Sequence, residues 1–484
     1  MLDSIVDAIT VFKKQLSQAM ASSQVAIVTG NKEIAYQDLI ERSMALANFW
    51  KKQGVRDGDR IAVKLPNSVE FVECYLACIF GGYTIIPLST DLSQKNLNYI
   101  LQLVKPRKLI DNFNEIQYEI ISDIDDHELT LKKDGIAAIF FTSGTTSFPK
   151  AVCHRLENML ANALRFNKLV GLNQNVRMMH VMPMGYMAGF LNTLLSPLIA
   201  RGTVIIAPQF NAKEAISFWQ PAIESNVNAI WLTPTMAALL ARLNRGDRIP
   251  EWAKDNLHHV FVGTAPLPKI TKESFARTFG VSLLESYGMT EILIVASNTP
   301  RSLQKPSSVG NLIEGVEVEV RDRKGNVMPR GEEGTLYIKT PFALQGYLDK
   351  VTSKIDLALD NGWFNTGDYG YLDRDNSLFV TGRIKDLIIH GGMNVSPTSV
   401  ENSLMEYPDI QEAVVIGKPH PFWGEEVVAF IKMKEEKLCC KESLEEYCKN
   451  NLEFDAIPTT FKVLNDFPRS STGKVKKHLL KEML

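Results

Sequence analysis

The sequence predicts an α/β protein in two parts: a large N-terminal domain of layered helices and strands that includes a small β unit (residues 1–384), and a small mobile α+β domain (residues 385–484). Three observations predict it. Helical and strand periodicities trade places up to Leu232; short β-like runs between Gly, Asn and Asp turns take over from about residue 303; and a mixture of helix and strand returns after Gly382. At about 100–200 residues per domain, 484 residues hold two to four lobes, and a 45% apolar composition supplies a large core.

In order, residues 41–53 place Met44, Leu46, Ala47 and Trp50 at helical spacing, and Arg60–Leu65 then alternates as a strand. The exchange recurs as helix 68–80 and strand Thr84–Pro87, helix Leu92–Val104 and strand Lys108–Ile110, then strand Thr203–Ala207, helix 212–225 and strand Ala229–Leu232. Such alternation implies largely parallel sheets. Val316–Val320, Gly334–Ile338 and Ser377–Val380 make the small β unit. In the second domain a turn at His390-Gly391-Gly392 precedes helix 398–406, strands Ala413–Ile416 and Val427–Lys432, and a charged helix near 441–450. The longest apolar runs, Phe71–Leu88 and Phe190–Phe210, are broken by Glu73 and Gly81-Gly82 and by Asn192, Pro197 and Arg201. A membrane span of about 20 apolar residues tolerates no such breaks, so each reads as core helix followed by buried strand.

Lys+Arg 53 against Asp+Glu 55 leaves a net charge of −2, which removes the electrostatic case for nucleic acid or an anionic membrane as partner and favours a small molecule. The six cysteines have neither disulfide-framework density nor zinc spacing, and Asp3 and Asp7 stand where a secretory signal needs a basic end and an apolar run. The expected compartment is the cytoplasm. His258-His259 and His420 have no partner at ligand spacing, and H-E-x-x-H and G-x-S-x-G are both missing.

The most informative segment follows the apolar strand Ile139-Phe140-Phe141. Thr142-Ser143-Gly144-Thr145-Thr146-Ser147-Phe148-Pro149-Lys150 offers hydroxyls, backbone N–H groups and one cation, a set suited to polyphosphate. With one glycine it is not a G-x-x-x-x-G-K-[ST] loop, and taken alone it reads equally as a polar surface turn. Further on come Gly263-Thr264-Ala265-Pro266-Leu267, Ser286-Tyr287-Gly288-Met289-Thr290-Glu291, Phe364-Asn365-Thr366-Gly367-Asp368, Gly382-Arg383-Ile384-Lys385-Asp386 and Arg469-Ser470-Ser471-Thr472-Gly473-Lys474. Tyr287 offers a ring to stack on a purine, Gly288 a close backbone approach, and Thr290 with Glu291 a hydroxyl and a hard carboxylate oxygen for a phosphate and its Mg²⁺. A core Tyr followed by a helix-capping Thr is the plainer alternative. Asp368 can accept from two ribose hydroxyls, with Arg383 as complement, although an Asp at a turn is ordinarily a local cap. Lys474 is either a placed cation or, with Lys476, Lys477 and Lys481, part of a solvated basic tail.

Together and in this order, the six segments resemble the adenylate-forming superfamily: acyl-CoA and aryl-CoA synthetases, adenylation domains of peptide synthetases, and luciferases. The resemblance runs from roughly residue 35 to the end and implies an acetyl-CoA synthetase-like fold. It implies that Thr142, Ser143, Gly144, Thr145, Thr146 and Lys150 meet the ATP phosphates, and that Gly263, Ala265, Pro266, Ser286, Tyr287 and Gly288 line the nucleotide site. Lys150, Thr290 and Glu291 are then catalytic, with Glu291 on Mg²⁺, and Asp368 and Arg383 hold the ribose. Lys474 bridges the carboxylate and α-phosphate during adenylation, Lys385 is the hinge of a domain rotation, and Gly391-Gly392 then faces a pantetheine tunnel. Ser147 and Ala151 stand where the family commonly has glycine.

The segment His180–Gly189 resembles the family's substrate gate, with Tyr186 where a His or another aromatic ring sits. Met187 occupies the position at which amino-acid-activating relatives carry an Asp. Because a buried ammonium without a counter-charge is costly, the expected substrate is an acyl or aryl carboxylic acid. Tyr186, Met187, Phe190 and Met289 are its candidate pocket, shortened by Thr264 in place of a common Gly; each of them also reads as plain core. The implied activity is ATP-dependent formation of an acyl-AMP with release of pyrophosphate, then transfer to coenzyme A. A carrier-protein phosphopantetheine is the alternative acceptor, and a non-catalytic nucleotide-binding relative is the rival from another class. Joint retention of Glu291, Asp368, Arg383 and Lys474 argues against that rival.

Overall fold

Helix boundaries fall where capping side chains put them. Ser68 accepts from the Phe71 N–H and opens helix Val69–Gly81, and Ser93 does the same through Asn96 for Gln94–Val104. Thr233 and Pro234 start Pro234–Leu243; Ser396 and Pro397 start Pro397–Glu406. The computed structural model describes residues 7–116, 131, 135–142, 149–211, 213–300, 302, 305–349, 355–356, 359–391, 393–434, 440–469 and 475–484.

Among the described residues the strands form three sheets. In the first, Val25–Thr29, Thr203–Ile206, Arg177–His180, Ala229–Leu232, His259–Val262 and Leu284–Met289 lie side by side in parallel. The second has a parallel half, Lys108–Ile110, Arg60–Val63, Thr84–Pro87 and Ala138–Thr142, which continues antiparallel through Lys150–His154, Gly346–Leu348 and Ile355–Asp356. The third lies in the C-terminal part, where Ile410–His420 and Gly424–Met433 pair along their length. Two apolar clusters within residues 388–484 give this part its own core.

The expected helix–strand exchange is present, with three differences. After residue 303 the strands Gly310–Leu312, Glu317–Arg321, Gly334–Lys339, Trp363–Leu372 and Ser377–Arg383 extend the first sheet, each antiparallel to its neighbour beyond Leu293–Ser297, while Gly346–Leu348 and Ile355–Asp356 join the second. Helix 212–225 is two short helices, Glu214–Ser217 and Trp219–Glu224. Pro221 has no N–H to offer the Ser217 carbonyl, so the first helix is not extended through it. Ala188–Leu195 is wound as a π-helix, a form that clusters at functional sites. Among the described residues no helix is long and apolar enough to cross a membrane.

Candidate active site

The strand Leu284–Met289 lies at the seam where the first sheet turns from parallel to antiparallel. A short turn carrying Thr290 and Glu291 joins it to Leu293–Ser297, so Thr290 caps no helix. Gly288 is required by this hairpin: a Cβ there would lie 2.3 Å from the Leu293 carbonyl oxygen. The close approach expected of Gly288 is therefore made by the chain itself. Gly263 and Ser286 meet in the same way, since a Cβ on Gly263 would lie 2.8 Å from Ser286 Oγ.

Asp368 and Arg383 stand directly opposite each other on the hairpin Trp363–Leu372/Ser377–Arg383. Arg383 Nε lies 3.1 Å from Asp368 Oδ1, and Tyr287 Oη donates to Asp368 Oδ2 at 2.7 Å. Tyr287 and Arg383, 96 residues apart in sequence, thus converge on the Asp368 carboxylate, whose side chain is 6% exposed. Burial raises the Asp368 pKa, while the Arg383 guanidinium and the Tyr287 hydroxyl hold it down. The local turn is closed by Asn365, which accepts from the Gly367 N–H at 3.0 Å, so the carboxylate of Asp368 is spent across strands and not on a cap. Tyr287 packs its ring against the main core and donates its hydroxyl to Asp368, a contact that the stacking expectation did not contain.

The second sheet meets the Thr290–Glu291 turn from the other side. Thr142 pairs with Lys150 at the mouth of the phosphate-loop hairpin. Residues 143–148 lie outside the described residues, and with them the candidates Ser143, Gly144, Thr145 and Thr146. On the outgoing strand Lys150, Val152 and His154 share one face by alternation, and Tyr347 stands opposite Val152. Tyr347 Oη donates to Glu291 Oε1 at 3.1 Å, and the Lys150 ammonium lies 5.0 Å from the centre of the Tyr347 ring. The Leu344 N–H donates to the Glu291 carbonyl at 2.7 Å, and His154 Nε2 lies 2.6 Å from the Thr290 carbonyl. Burial pushes the His154 pKa down to about 4, so the ring is neutral near pH 7 and its Nε2 carries the proton, as a carbonyl can only accept. Sequence reasoning missed both Tyr347 and His154. The one signal available was alternation, which places His154 on the Lys150 face.

Among the candidate pocket residues, Met187 is buried and Tyr186 and Met289 are half-buried. Phe190 is taken up by packing: its ring stacks on Tyr75 at 4.2 Å and tilts against Phe140 at 5.7 Å. Ala265 is half-buried and Pro266 exposed. Thr264 holds φ +71°, the left-handed region in which a β-branched residue is strained. Thr264→Gly is expected to raise stability by about 1 kcal/mol and to lower the KM for longer acids. Thermal unfolding and an acid-length series check both, and an unchanged length preference removes Thr264 from the pocket.

In the C-terminal part Gly391 lies on an exposed turn beside Trp423; Gly392 is outside the described residues. Lys474 is also outside them, between Arg469 and Val475, which form an antiparallel bridge. Ion pairs Arg469–Glu412 and Lys477–Glu401 (2.9 Å) tie down both ends of this segment. Lys385 sits in the 3₁₀ turn Ile384–Asp386. The Ser396 hydroxyl, donating to the Thr381 carbonyl at 2.6 Å, and the exposed pair Lys269–Glu406 at 2.9 Å join the two parts across it.

The chain matches the profile of the AMP-binding enzyme family over residues 13–348, and that of the AMP-binding enzyme C-terminal domain over 399–474. The chain belongs to the AMP-binding enzyme family. It is 28% identical over 479 residues to a 2-succinylbenzoate–CoA ligase of Bacillus licheniformis, covering 95% of this chain and 97% of that one. An ATP-bound structure of MatB from Rhodopseudomonas palustris superposes with a TM-score of 0.88 at 26% identity, covering 98% of each chain. The o-succinylbenzoate CoA synthetase of Bacillus subtilis, solved with its acyl-adenylate, gives 0.83 at 26% identity and covers 97% of each. This member of the family is an AMP-forming ligase of the acid–thiol type with an acyl-CoA synthetase-like fold.

Proposed function

We propose that this AMP-binding enzyme activates an acyl or aryl carboxylic acid with ATP and passes the acyl group to coenzyme A. The observation that carries the reading is the convergence of Tyr287, Asp368 and Arg383 on one side of the Thr290–Glu291 turn and Lys150 on the other. That arrangement supplies groups suited to a ribose on one side and to phosphates on the other. A carboxylate and an α-phosphate are both anionic, so the attack that joins them needs positive charge concentrated where negative charge develops. Lys150 and the hydroxyls of the phosphate loop supply it from one domain, and Lys474 from the other.

Glu291 fits a hard cation. Tyr347 donates to Oε1, and Oε2, without a hydrogen-bond partner among the described residues, would serve Mg²⁺, which takes one or two carboxylates and completes its shell with phosphates and water. Bound there, Mg²⁺ would neutralise phosphate charge. Asp368 would accept from the ribose hydroxyls, with Arg383 keeping it ionised. Pyrophosphate then leaves, and rotation about Lys385, with the domain boundary between residues 384 and 385, carries the Gly391-Gly392 turn towards the incoming thiol. Buried Met187 leaves an α-ammonium without a counter-charge, which supports an acyl or aryl acid over an amino acid. The free thiols of the described cysteines suit a reducing cytoplasm.

Acid-dependent ATP–pyrophosphate exchange over short, medium, long and aromatic acids, followed by thioester formation with free CoA, tests the reading. Exchange with at least one acid and thioester with CoA are expected. Thioester only with a phosphopantetheinylated carrier protein would replace CoA as acceptor, and silence across the acids would overturn the activity.

A further inference from the structure

We propose that Tyr347 and His154 are positioning residues that hold the Thr290–Glu291 turn, and with it the Glu291 carboxylate, against the strand that ends the phosphate loop. The inference rests on the reading of Glu291 as the carboxylate for Mg²⁺ and ATP, and extends it to two residues that touch neither. The turn belongs to the first sheet and its two holders to the second. Side-chain bonds at 3.1 Å from Tyr347 and 2.6 Å at His154, with the Leu344 N–H at 2.7 Å, cross the gap between the sheets.

Each holder has a geometry suited to this task. Tyr347 stands between two opposite charges, its ring face under the Lys150 ammonium and its hydroxyl on Glu291. Without the ring between them, ammonium and carboxylate would attract one another and neutralise the charges that phosphates and cation are to meet. The hydroxyl also fixes which carboxylate oxygen stays open. His154 is fully buried, and its Nδ1 has no hydrogen-bond partner among the described residues. An apolar side chain would fill the same space without that orphaned atom, so what the imidazole contributes is its bond to the Thr290 carbonyl. Partners that orient a metal-binding carboxylate are typically worth ~10–100-fold in metal affinity.

The test is Mn²⁺ affinity by electron paramagnetic resonance in the presence of non-reacting α,β-methylene-ATP, read beside the Mg²⁺ dependence of ATP–pyrophosphate exchange. Tyr347→Phe and His154→Leu are each expected to weaken Mn²⁺ binding by at least about tenfold, with the KM for the acid unchanged. His154→Gln, whose amide N–H reaches the same carbonyl, recovers most of the loss. Tyr347→Phe removes one half-buried hydroxyl and keeps the fold, so it decides the matter if the His154 variants unfold. Wild-type Mn²⁺ affinity in Tyr347→Phe and His154→Leu, with Glu291→Gln binding none, overturns the positioning role alone. Wild-type Mn²⁺ affinity in Glu291→Gln overturns the reading of Glu291 and the positioning role with it.

Discussion

Asp368→Asn is expected to raise the KM for ATP by about 10²-fold, with a smaller effect on kcat at saturating ATP. The substitution preserves size and takes away charge at the point where Tyr287 and Arg383 meet. Hydrogen bonds to a charged group are worth about 1.5–3 kcal/mol each, so weakening two to a ribose costs about two decades in affinity. Asp368→Ala should be worse, because it also leaves the Tyr287 hydroxyl without its acceptor and the Arg383 guanidinium without its counter-charge. Initial rates of ATP–pyrophosphate exchange over a range of ATP concentrations check this. An unchanged KM for ATP in Asp368→Asn would take Asp368 out of the nucleotide site and reduce the convergence to a structural ion pair.

Lys474→Ala is expected to separate the two half-reactions. Acyl-adenylate formation should fall by about 10²–10³, the range seen when one preorganised donor to developing charge is removed. Thioester formation from supplied acyl-adenylate and CoA should stay within about threefold of the unmodified enzyme. The asymmetry follows from the chemistry: the attacking carboxylate and the α-phosphate are both anionic, whereas the second step starts from an acyl group that is already activated. Equal loss in both steps would contradict the role given to Lys474.

Much of this protein was legible from local pattern. Alternating helix and strand periodicities gave Thr84–Pro87, Lys108–Ile110 and Ala229–Leu232 at the boundaries the structure has. Asp368 and Arg383 face each other across one hairpin, so the residue named from the sequence as complement to Asp368 lies within its reach. The split of helix 212–225 was within reach too, since Pro221 was in view.

What the amino-acid order by itself determined was the set of elements, the family and the chemistry available at each motif, because periodicity, caps and motif spacing are short-range properties of a chain. Tertiary structure alone decided three things: that the strands after residue 303 divide between the first and second sheets, that the Tyr287 hydroxyl donates to Asp368, and that His154 and Tyr347 reach the Thr290–Glu291 turn. His154 is 136 residues from Thr290, and Tyr347 is 56 from Glu291. Such contacts depend on how two sheets face each other, and that relation is set by burial of the core between them, to which no local pattern refers.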